Sequence, residues 1–179
     1  MNPLAPAIKI VLILLVTTAA IFDIRFRRIP NWLVLVGLIL GFTVNIVLFG
    51  LTGLKTAGLG MLLGFGVYLL LHLLHAMGAG DVKLMAAVGS MVGPGAWFGI
   101  FLLTAMIGGV FALILLVLKG RLRQGLWNVG FIFTELSHFR APYMTREELD
   151  VKSSKALRLP HGVTIAAGTL AYLSGLLPQ

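Results

Sequence analysis

A chain of 179 residues that is 59% hydrophobic and 11% charged, with a mean hydropathy of +1.01, has more apolar surface than a soluble domain of that length can hide. The bilayer is its expected solvent, and the net charge of +8 is no sign of nucleic-acid binding because the basic residues are scattered through loops rather than gathered on a folded basic domain. Cysteine is absent, which excludes disulfides, a thiolate nucleophile and a cysteine-ligated zinc site.

Taken in order, the apolar runs cover residues 4–22, 33–51, 57–74, 84–92, 97–118 and 160–177. Most approach the roughly 20 residues that cross about 30 Å of hydrocarbon as a helix. The fourth is short and reads as a tilted crossing that ends at Gly93, Pro94 and Gly95. The expectation is an all-α integral membrane protein, a single domain over 1–179 built as a bundle of about six transmembrane helices, one of them short. The first run reads as a retained helix rather than a signal peptide, because Asp23 and three arginines follow it where a small-residue cleavage site would stand. Gly37 with Gly41, and Gly60 with Gly64, offer small faces for helix packing.

Positive loops stay cytoplasmic, and of fourteen basic residues only Lys9 and Lys55 fall outside the connections after the first, third and fifth runs. Both termini are therefore expected on the outer side. The longest connection, 119–159, reads as a cytoplasmic excursion, interfacial over 122–139 and polar over 140–158.

Four of the six acids lie in that excursion, where an acid is unremarkable. The other two are Asp23 and Asp81. Each stands at the cytoplasmic end of an apolar run with two crossings between them, so both carboxylates come to the same depth. A plain reading pairs Asp23 with Arg27 and Asp81 with Lys83 as solvated helix-end acids. The sequence around Asp81 argues for more, since ionisable groups at membrane depth are costly. Gly78 and Gly80 can take positive φ and let another backbone approach the carboxylate, as an extended peptide at membrane depth requires. Asn31 is a candidate cap for the second helix, with Pro30 fixing its entry. His72 and His75, three apart, are expected on one helix face, where polar packing is a better reading than metal ligation.

Phe22-Asp23, then Arg28 to Asn31, then Gly78-Ala79-Gly80-Asp81-Val82-Lys83, together resemble the type IV prepilin peptidases, intramembrane aspartyl proteases of the Gly-x-Gly-Asp class. The short form is most similar to the peptidases of tight-adherence (Flp-type) pilus systems. The likeness is strongest over about residues 20–92 and extends to Pro160-His161-Gly162. It implies an enzyme of the bacterial inner membrane that removes the short basic leader of prepilins or pseudopilins at the cytoplasmic face. It further implies Asp23 and Asp81 as catalytic, with Gly78, Gly80, Lys83, Pro30 and Asn31 in the loops beside them. No cofactor, metal or nucleic acid is called for, the bilayer is the surrounding partner, and the sequence leaves homo-oligomerisation open. N-methylation is not expected, because the first cytoplasmic loop is only 24–31 and lacks the cysteine pairs of the bifunctional members. The rival reading is a small proton- or cation-coupled transporter or channel subunit with the two aspartates as a relay; it does not explain why both acids sit at one end of their helices.

Overall fold

The computed structural model describes residues 4–120 and 161–175, together with 122, 123, 127, 128, 130, 131 and 134. Four helices are bounded among them: α1 (Pro6–Phe26), α2 (Asn31–Leu73), α3 (Ala79–Leu118) and α4 (His161–Leu173). The first three are each long and apolar enough to cross a membrane. Large apolar side chains point outward along them, among them Leu14, Val47 at 77% exposure and Leu70, a surface that suits lipid and would be a liability in water. Most of the expected excursion over 119–159 lies outside the described residues.

The sequence leads to an expectation of six helices joined by loops; the described residues form four. The difference arises at two connections that are not loops. At 43 residues, α2 would extend about 65 Å if straight, twice the hydrocarbon thickness. It is broken at Gly50 (φ 59°, ψ −136°). A Cβ on Gly53 would strike the carbonyl of Asn45, eight residues earlier, which in a continuous helix lies about 12 Å away along the axis. The chain has turned back on itself at one glycine.

α3 does the same at Gly93 (φ 75°, ψ 174°), followed by Pro94. Trp97 Nε1 donates to Met85 O at 3.2 Å across that bend. Such φ values exclude most residues with a Cβ, and the expected turns of several residues at 52–56 and 93–96 shrink to single glycines. The last apolar run yields α4, which at 13 residues is about 20 Å long and shorter than a full crossing.

The first arm of α3 is the central strut. From Asp81 to Gly93 every residue except Lys83 is buried, which is why so short a run is apolar without facing lipid. The first arm of α2 runs parallel to it, Gly37 meeting Ala87 and Gly41 meeting Ser90; the second returns antiparallel, Gly60 against Gly89 and Gly64 against Met85. At the Gly60–Gly89 crossing a Cβ on either residue would overlap the other's carbonyl, so the two backbones touch. α1 lays Ile8, Leu12, Leu15, Val16 and Ala19, one helical face, into the core, and α4 packs on α3 and α1.

The bend at Gly93 frees carbonyls that no helix bond can take up, because Pro94 has no N–H for the carbonyl of Ser90 four residues back. Asn45 supplies the donors. It is buried, and its Nδ2 lies 3.1 Å from both Ser90 O and Met91 O and 2.9 Å from Gly41 O of its own helix. In a membrane, where no water can substitute, this side chain makes the bend tolerable.

Candidate active site

α1 ends one turn beyond Asp23. Arg27 adopts the left-handed conformation (φ 52°) and returns its N–H to Asp23 O at 2.9 Å, closing the helix. The corner into α2 is held by Phe22 against Trp32, edge to face at 6.1 Å, and Arg25 lies over the Phe26 ring at 5.7 Å. The half-buried Asp23 carboxylate accepts the N–H of Gly162 through Oδ2 at 2.7 Å. That N–H belongs to the first turn of α4, where unpaired donors and the helix dipole favour an anion. A Cβ on Gly162 would lie 2.9 Å from Asp23 Cβ and Oδ2, so only glycine permits the approach.

Asp81 occupies the third position of α3, whose N-cap is Gly78. Its Oδ2 reaches back to accept the Gly78 N–H at 3.1 Å, the acid half of a capping box. The residue is 7% exposed. Around it stand Asp23, His72 and Tyr68, each close enough to interact electrostatically, and His161 interacts in the same way with Asp23. Tyr68 and His72 are one helical turn apart on the second arm of α2, so a single face delivers both.

Two acids far apart in sequence are thus brought to one end of the bundle, each held by a backbone N–H at a helix start. The remaining candidates divide. Gly78 serves Asp81 directly. Neither Gly78 (φ −76°) nor the helical Gly80 takes positive φ, contrary to expectation. Gly80 instead makes room for Ile29, whose Cβ would be 3.3 Å from a Cβ there. Asn31 does not cap α2: Pro30 is the N-cap residue, and Asn31 is the first helical residue, with its Oδ1 accepting from Lys83 Nζ at 3.0 Å. Lys83 therefore turns to Asn31 and not to Asp81, two residues and about 200° away around the helix.

His72 and His75 do not share a helix face. His75 lies beyond the end of α2 at φ 57°, with Nδ1 3.1 Å from Leu73 O, whereas His72 places Nδ1 2.8 Å from Met77 O. A carbonyl can only accept, so in His72 the donor is Nδ1. Among the described residues no group of three His, Asp or Glu side chains converges to hold a metal ion. Sequence reasoning missed Gly162 as a contact of the site, although Pro160-His161-Gly162 at the head of the last apolar run was the available signal.

Three helices long and apolar enough to cross a bilayer class the chain among membrane proteins, with two acids gathered at one end of the bundle. The chain belongs to the type IV leader peptidase family, which it matches over residues 10–113, more than half its length and both aspartates included. No curated protein and no solved structure matches it.

Proposed function

We propose that this chain is an intramembrane aspartyl endopeptidase that removes the short basic leader from type IV, Flp-like prepilins or pseudopilins, with Asp23 and Asp81 as its catalytic pair. The observation that carries the reading is the convergence of the two acids at one end of the bundle, each anchored by a backbone amide, Gly162 for Asp23 and Gly78 for Asp81. The family match supports a leader peptidase.

Two neighbouring carboxylates in a partly desolvated site share one proton and act as a unit. The ionised member takes a proton from water as it attacks the scissile carbonyl; the protonated member polarises that carbonyl and then protonates the departing amine. The amides of Gly78 and Gly162 each occupy one lone pair on Oδ2 of their acid, fixing its orientation while leaving Oδ1 for water or substrate. No covalent intermediate and no cofactor enter these steps.

In this reading α1 and the arms of α2 and α3 cross a bacterial inner membrane, and the shorter α4 packs against them. Both ends of the chain face the periplasm, and the acids lie at the cytoplasmic boundary, where the arginines of the α1–α2 corner also stand. The short α1–α2 connection, Arg27 to Pro30, supports cleavage without N-methylation. The test is conversion of precursor to mature pilin by Asp23→Asn and Asp81→Asn variants in membranes. Loss in both at normal protein level is expected; normal processing by either overturns the assignment.

A further inference from the structure

A cavity of about 600 Å³ lies on the side of α3 away from the acids, between the two arms of α2 and the start of α3. Its walls are apolar, formed by Val34, Leu38, Leu62, Phe65 and Ala86. Its polar end is Lys83 with Asn31.

The chemistry of that end is one-sided. Lys83 donates to Asn31 Oδ1, which occupies one of that oxygen's two lone pairs and leaves the amide's NH2 group as two donors. The ammonium keeps further N–H groups of its own. An apolar groove thus ends in one positive charge and a majority of donors, a match for a ligand with an apolar body and an anionic, acceptor-rich head. The height agrees: Asn31 opens α2 and Lys83 lies in the first turns of α3, so the cation stands at the helix ends, where headgroups lie.

A substrate segment held at the acids does not reach this groove in a straight path. Asp81 faces inward toward Asp23 and Tyr68, and Lys83 is exposed about 200° around the same helix. Basic pockets between helices are a recurrent way of holding anionic lipid heads.

We propose that the groove binds an acyl chain of an anionic phospholipid, with its phosphate on Lys83 and Asn31. The site does not depend on the peptidase reading. It is a specific lipid contact beside the catalytic end of the bundle.

The full chain, purified in mild detergent, is to be titrated with phosphatidylglycerol or with phosphatidylethanolamine, and bound lipid counted by native mass spectrometry. Wild type is expected to retain phosphatidylglycerol preferentially. Lys83→Gln should lower that retention about fivefold, the effect of one interfacial cation, with little change for phosphatidylethanolamine. Lys83→Arg should restore it, and Leu62→Trp, which fills the groove from a lipid-exposed position without altering charge, should reduce both lipids. Equal retention of the two lipids by wild type, or unchanged phosphatidylglycerol retention in both Lys83→Gln and Leu62→Trp, overturns the proposal. Unchanged lipid binding with weakened binding of a prepilin peptide overturns it too, and assigns the groove to substrate.

Discussion

Gly162 and Asp23 touch backbone to side chain, the glycine N–H donating to Oδ2 at 2.7 Å with no room for a Cβ between them. The first turn of α4 thereby orients an acid at the far end of α1, and the two elements behave as one support for half of the proposed catalytic pair.

Gly162→Ala should therefore damage cleavage more than folding. The methyl group would displace Asp23 and break a hydrogen bond to a charged acceptor worth about 1.5–3 kcal/mol, a roughly ten- to hundredfold loss in turnover. Comparing kcat with the unfolding temperature in detergent separates the two effects. Wild-type turnover would mean that Asp23 is not held by this amide.

Asp23→Asn and Asp81→Asn keep the side-chain volume and lose both the base and the transferable proton. Each is expected to reduce leader cleavage by about a thousandfold or more, since either half of a shared-proton pair is useless alone. Lys83→Gln is the matched charge control and should retain most activity, because Lys83 bonds Asn31 and faces away from Asp81.

Asn45→Ala leaves Ser90 O and Met91 O without their donor at the Gly93 bend. The cost is expected at about 1–3 kcal/mol, read as a lowered unfolding temperature in detergent. Asn45→Asp should be worse, since it sets an oxygen acceptor against two carbonyls. An unfolding temperature equal to wild type in both variants would show that other groups satisfy the bend.

Chelation should leave cleavage unchanged, because His72 and His75 turn to different carbonyls rather than toward a common point. Activity lost with a chelator and restored by zinc would assign these histidines a ligand role.

The acids were legible in the sequence for a physical reason: in so apolar a chain, a carboxylate outside the polar excursion needs an explanation, and only Asp23 and Asp81 required one. What holds them was less legible. Gly162 is one of 22 glycines and meets an acid 139 residues away, so only its place in Pro160-His161-Gly162 at the head of the last apolar run hinted at the contact. Lys83 beside Asp81 in sequence suggested an ion pair, but helical geometry puts neighbours two apart on opposite faces. The apolar segments were readable from hydropathy, and so were the connections before Asn31 and before Asp81, but the single-glycine reversals at Gly50 and Gly93 were not. Lys55 and the threonines near it looked like a loop, yet they already belong to the returning arm, because Gly50 completes the reversal alone.

Those single-glycine reversals bear on how the chain enters a bilayer. A helical pair joined by an ordinary loop must carry several solvated peptide groups through hydrocarbon before its far end re-emerges. In α2 and α3 each reversal asks only one residue without a side chain to leave helical geometry, and Lys55 is the sole charge near either bend. Each pair can therefore partition as a preformed hairpin with almost no polar cargo to translocate, and Asn45 can seal the second bend once the two hairpins meet.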